Sequence, residues 1–179
     1  MSLTATIYNF EIELADADRQ VYESLALRVA QHPSESDEYL ITRVLAYILE
    51  FTDGIAFSAG LSDQDEPAIT IRDLTGAIQS WIEVGSPEAA RLHRASKAAP
   101  RVAVYTHKDP AKLLSQLAGE RIHRVEALEL YAVDRALVAA LTARLERRMG
   151  FSVSITDREL YLSIGADTLT GVIRRLALN

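Results

Sequence analysis

No cysteine occurs in the 179 residues, which excludes disulfides, thiolate catalysis and cysteine-held zinc but leaves room for a metal held by oxygen. No apolar run reaches the roughly 20 residues needed to cross a bilayer, and Met1-Ser2-Leu3 lacks the basic flank and apolar core of a signal peptide. The expectation is a soluble cytoplasmic protein with no membrane partner. The four histidines, His32, His93, His107 and His123, lack the paired spacing of a zinc site, and there is neither a glycine-rich phosphate loop nor a nucleophile elbow. Repeats and low-complexity linkers are also missing, so residues 1–179 read as one domain with enough apolar content for a full core. Nothing in the composition specifies an oligomeric state.

What is present is an uneven charge. The net charge is −6, yet residues 1–88 hold 4 Lys/Arg against 16 Asp/Glu, and residues 89–179 hold 15 against 9. The basic second half allows a local positive face suited to nucleic acid despite the negative total; equally, the two halves attract one another in the fold.

Residues 3 to 14 alternate with period two, and Val21 to Ala30 runs back as their partner, which predicts an N-terminal β-hairpin. Ser34 or Ser36 starts a broadly apolar helix that runs to about Thr52, and Arg43 needs a carboxylate partner if that helix encloses it. Ser86 and Pro87 open a second helix, to about Ala98, with Arg91, Arg94 and Lys97 along one side. A strand at 101–106, a helix at 110–118 and a strand at 126–131 follow, and strands alternating with helices imply parallel neighbours. Val133 to Met149 has the spacing of a long helix ended by Gly150. Strands at 151–156 and 159–163 join through Asp157-Arg158, and the type of 167–176 is left open. The fold class is α/β (α+β), a mixed sheet flanked by helices.

The stretch from Glu66 to Gly85 reads as two strands folded over a turn, with Glu83 on the face opposite Ile82. A two-residue Thr75-Gly76 loop sets Ala68 opposite Glu83, and a four-residue loop from Asp73 sets Glu66 there. Asp73 lies several residues along the ladder from Glu83 in either register unless the strand bulges. These carboxylates are solvated groups on a hairpin edge, or they line a polar cleft in which Glu83 meets Arg91 or Arg94.

The blocks ATIYNFEIEL, RVAQHPSESDEY, FSAGLSDQDEP, DLTGAIQSWIEVGSPEAARLHRAS and RVAVYTH, in that order, resemble the bacterial YaeQ family. That family is similar in fold to the PD-(D/E)XK restriction-endonuclease-like proteins, so the resemblance implies a variation of that fold. It further implies a Mg²⁺ ion held by an Asp and a Glu on a central hairpin, with a Lys two residues after the Glu. Glu83 matches the second carboxylate and Pro67 the proline, but Ala68 stands in place of the aspartate and Gly85 in place of the lysine. Asp73, Glu66 or Asp65 would have to substitute as a metal ligand, Arg91 or Arg94 would supply the missing positive charge, and Glu35 would serve as an additional acid. The depleted motif favours binding of nucleic acid or a protein partner at the cleft near Glu83 without efficient catalysis. The alternative is a Mg²⁺-dependent phosphodiesterase using Glu83 with Asp73 or Glu66.

Overall fold

Alternation at the head of the chain produces a long antiparallel hairpin, β1 (Thr6–Asp16) with β2 (Val21–Gln31), in a register that sets Phe10 opposite Leu27 and Ile12 opposite Leu25. After it come α1 (Asp37–Glu50), β3 (Ile55–Phe57), β4 (Ile69–Arg72), β5 (Ile78–Val84), α2 (Ala89–Ala98), β6 (Arg101–Thr106) and α3 (Pro110–Leu117). A 3-10 turn at Val125–Ala127 leads to β7 (Glu129–Val133), α4 (Arg135–Thr142), β8 (Arg148–Thr156), β9 (Glu159–Ile164) and β10 (Asp167–Leu176). The computed structural model describes residues 4–58 and 66–178. The chain divides into two compact units, residues 1–41 with 133–174 and residues 42–132 with 175–179.

In the first unit the strand order is β2-β1-β8-β9-β10, with β1 and β8 parallel and the other neighbours antiparallel. Phe10, Ile12 and Leu14 of β1 and Met149, Phe151, Val153 and Ile155 of β8 are buried at alternate positions. The β8–β9 turn places Asp157 and Arg158 at φ 52° and 59°, a conformation that L-residues adopt at a cost. Asp18 offsets it by accepting from both amides, at 2.7 and 2.9 Å.

The long helix expected over 133–149 is instead the short α4 followed by β8. Asp134 caps α4 by accepting from the Ala136 and Leu137 amides, and Arg144 donates to the Ala140 carbonyl at the far end. Leu137, Val138 and Leu141 use the helical spacing; Leu145 lies beyond the helix, and the period changes to two at Met149, so Gly150 is a strand residue. The open element at 167–176 is a strand. A Cβ at Gly171 would lie 2.7 Å from Leu137 Cδ2, which makes glycine a condition of packing β10 against α4.

In the second unit the order is β7-β6-β5-β4-β3, with β5, β6 and β7 parallel and β3, β4 and β5 antiparallel. This places the hairpin centrally in a mixed sheet, as its apolar residues imply. Helices α2 and α3 cover one face through a cluster that includes Trp81, Leu92, Ala95, Val104, Leu113 and Leu117. Residues of α1 reach the opposite face: Tyr47 stacks on Phe57 at 4.5 Å, and buried Arg43 holds its guanidinium 5.4 Å from the same ring. Ser36 is the hydroxyl that caps α1, accepting from the Tyr39 amide at 3.1 Å, and the helix ends at Glu50 rather than Thr52.

Helix α2 begins two residues later than Pro87. Gly85 takes φ +93° with its amide held by the Tyr105 carbonyl, and the chain stays extended to Glu88, which is the cap residue and makes no side-chain cap bond.

Candidate functional site

The register at Glu83 results from two irregularities that cancel. Asp73 pairs with Ala77 around a three-residue loop, Leu74-Thr75-Gly76, in which Gly76 supplies φ +87°. Arg72 then pairs with Ile78, but Ile71 pairs with Ser80, so Gln79 is the extra residue of a bulge. From there Ile69 pairs with Ile82, and one further step along the ladder sets Ala68 opposite Glu83. Of the two registers left open by the sequence, the one with Ala68 opposite Glu83 is found, through a three-residue loop and a bulge instead of a two-residue loop.

Parallel pairing of β5 with β6 puts Glu83 beside Val104 and, with Trp81, on the face that α2 covers. Glu83 is only 5% exposed, so its carboxylate lies in the protein interior rather than facing an open cleft. Oε1 accepts from Trp81 Nε1 at 2.6 Å and from Arg91 Nε at 2.7 Å. Arg91 also donates through Nη2 to the Glu66 carbonyl at 2.6 Å, joining α2 to the segment that enters β4. Burial pushes the Glu83 carboxyl above its ordinary range, and the Trp81 and Arg91 bonds work against that shift.

The other expected site residues are dispersed. Asp73 is exposed and organises its own turn: Oδ1 accepts from the Thr75 amide and hydroxyl and from the Ala77 amide, and Oδ2 accepts from Gln79. Those bonds, that of the Thr75 hydroxyl first, hold its pKa down. It stands opposite Ala77, six residues from Glu83, a span of about 20 Å along a strand. Glu66 offers Arg91 its backbone carbonyl, and its side chain is exposed. Arg94 is exposed and forms no ion pair among the described residues. Glu35 belongs to the first unit, where Oε1 accepts from the His32 amide at 3.4 Å; Asp65 lies outside the described residues. Among the described residues no three His, Asp or Glu side chains are grouped to hold a metal. A single carboxylate with a guanidinium already on it does not fit a divalent ion that needs several hard oxygens.

A second centre, unforeseen from sequence, occupies the other face of this sheet. Arg101 binds Glu50 through Nη1 at 2.5 Å and Nη2 at 3.1 Å, and binds Glu129 through Nε at 2.6 Å and Nη2 at 3.1 Å. The Tyr105 hydroxyl donates to Glu50 and the Tyr131 hydroxyl to Glu129, and the two rings stack at 4.9 Å. Arg175 lies over Tyr131, with its guanidinium carbon 5.3 Å from the ring centroid. Burial works against the Arg101 charge, but the bonds to Glu50 and Glu129 outweigh it and push its pKa up. For Tyr105, burial and then the Glu50 charge raise the pKa well above the ordinary value, so it remains a donor. Burial favours neutral Glu129, yet its bonds from Arg101 and Tyr131 bring the net pKa down. Period two in RVAVYT and ELY was the available signal: it puts Arg101 and Tyr105 on one face, and Glu129 and Tyr131 likewise on the neighbouring parallel strand.

A groove of about 690 Å³ opens at the carboxyl ends of β5 and β6, lined in part by Ser86, Glu88, Lys108, Asp109, Lys112 and Glu120. Ligands of open α/β sheets favour this end, but its charges are mixed in sign.

Fold and site together define a mixed-sheet α+β protein with two carboxylate–guanidinium centres in its second unit, a buried one at Glu83 and a half-buried one at Arg101. The chain belongs to the YaeQ family: the family described as YaeQ protein matches residues 1–172. Among its relatives, YaeQ of Salmonella typhi is 32% identical over 170 residues, covering 94% of each chain. YaeQ of Escherichia coli K12 is 31% identical over 164 residues, covering 91% of each. The crystal structure of YaeQ from Pseudomonas syringae matches with a TM-score of 0.87 and 29% identity over 97% of this chain and 96% of that one. YaeQ from Xanthomonas axonopodis pv. citri gives 0.82 and 30% over 96% and 98%. No helix among the described residues is long and apolar enough to cross a membrane.

Proposed function

We propose that the second unit is a core of the PD-(D/E)XK nuclease kind in which Arg91 has replaced the metal, and that the protein binds nucleic acid in the cytoplasm without efficient hydrolysis. The observation that carries this reading is the Glu83 carboxylate, buried and occupied by Arg91 and Trp81 on one oxygen. Metal-assisted phosphodiester hydrolysis needs hard oxygens around an ion that activates water, and a cation near the nucleophile. Ala68, opposite Glu83, offers no oxygen, and Gly85, at φ +93°, admits a lysine only with left-handed strain of about 1–2 kcal/mol. A guanidinium neutralises the buried acid permanently but activates no water. Exposed Arg94 and Lys97 on α2 supply charge for a phosphate backbone.

The test is incubation with labelled single- and double-stranded DNA and RNA in Mg²⁺ and in Mn²⁺, with binding followed as salt is raised. Intact strands, and binding that weakens with salt, are expected. Turnover that Glu83→Ala abolishes would restore the phosphodiesterase reading, and failure to bind any strand at low salt would turn the search to a protein partner.

A further inference from the structure

We propose that the exposed side of α2 and the turn at residues 121–124 form one docking surface for single-stranded nucleic acid, with Arg94, Lys97 and Arg121 on the phosphates and the His123 ring against a base. The proposal rests on the nucleic-acid reading above and assigns it a place on the molecule.

The turn is fixed to α2 at three points. Ile122 is buried in the apolar cluster with Leu92 and Leu117. Arg124, left-handed at φ 49°, donates through Nη2 to the Ser96 and Ala99 carbonyls at 2.5 and 3.0 Å, satisfying acceptors at the helix C-terminus where a cation is favoured. The His123 amide donates to His93 Nδ1 at 2.9 Å, which keeps the His93 proton on Nε2. With Ile122 turned inward, Arg121 and His123 are exposed, and the His93 and His123 rings meet edge to face at 6.4 Å and 88°.

Among the described residues no ion pair neutralises the cations of this surface, and the exposed acids Glu120 and Glu126 flank the turn. Arg19, Arg91, Arg101, Arg144 and Arg175 each pair with a carboxylate, whereas Arg94, Lys97 and Arg121 form no ion pair among the described residues. After partial desolvation, the charges that hold His93 below its ordinary pKa all come from basic residues, Lys97, Arg121 and His123. Unpaired cations held side by side repel, and a polyanion laid across them relieves that repulsion while releasing its own counterions. An acidic peptide offers the same charge. The exposed imidazole among the cations favours nucleic acid, because a base stacks on a flat ring and an aspartate does not.

The experiment is fluorescence anisotropy of a labelled single-stranded oligonucleotide over a salt series, on the full chain, for the wild type, Lys97→Gln/Arg121→Gln and Lys112→Gln. Lys112 lines the groove at the carboxyl ends of β5 and β6 and serves as the control. Denaturant midpoints establish that each variant is folded. The double variant should bind about tenfold more weakly, with its log–log salt slope reduced by about 1.4, the loss of two phosphate contacts on a single strand. Lys112→Gln should match the wild type. If the wild type binds and the double variant keeps its affinity and slope, this surface is not the site, although the nucleic-acid reading stands; if the wild type binds no strand, both fall. Displacement of the strand by polyglutamate at equal charge, or tighter binding of duplex, would overturn the assignment to single strands.

Discussion

Arg101→Met is expected to lower stability by about 3 kcal/mol, a fall of roughly 6–12 °C in Tm for a chain of this length. The loss comes less from the bonds removed than from what remains: Glu50 is buried, and without Arg101 its charge keeps, among the described residues, only the Tyr105 hydroxyl. The lower part of the range for a broken buried pair applies because the Arg101 side chain is 32% exposed and partly screened by water. Adding Glu50→Gln and Glu129→Gln should recover much of the loss, since it removes the stranded charges. The network also sets a pH dependence. Glu129 has a folded-state pKa below its ordinary value, so its contribution is present above that ordinary value and lost as pH falls through the folded one. Urea denaturation read by circular dichroism decides the matter; a loss under about 1 kcal/mol for Arg101→Met would reduce the centre to an ordinary surface ion pair.

Arg91→Ala should cost about 2–4 kcal/mol at neutral pH. It removes the cation from a carboxylate that is 5% exposed and leaves Trp81 Nε1 as its remaining described donor. Because Arg91 opposes the upward shift of Glu83, removing it moves that pKa higher still. A carboxyl with a raised folded-state pKa contributes stability that is full below the unfolded pKa and is lost as pH rises through the folded one. The deficit of the variant should therefore be small in mild acid and grow toward neutrality. Glu83→Gln in the Arg91→Ala background should recover most of it, giving a large coupling in a double-mutant cycle. A deficit equal at both pH values, with no coupling, would mean that Arg91 acts through packing alone.

Much of the architecture is legible in local pattern. Alternation in 6–16 and 21–31 gives the first hairpin, and strands separated by α2 and α3 announce the parallel run β5-β6-β7. The errors sit where two periods overlap: Leu145 continues the helical spacing of α4 while Met149 already belongs to a strand. The pairing of Glu83 with Arg91 is also within reach of sequence, since an isolated carboxylate on a buried strand must find a cation, and α2 begins six residues later. The Arg101 centre is not, because Glu50 stands 51 positions from Arg101 and only the sheet brings them together. Asp73 misleads for a related reason: an Asp beside a Thr-Gly turn resembles a ligand in sequence, and its turn employs both of its oxygens.

The proposed replacement of a metal at Glu83 by the Arg91 guanidinium is open to calorimetric titration of the wild-type protein with Mn²⁺. No saturable uptake attributable to Glu83 is expected, so the wild type and Glu83→Ala should give the same trace. One equivalent of Mn²⁺ bound by the wild type and lost in Glu83→Ala would contradict it.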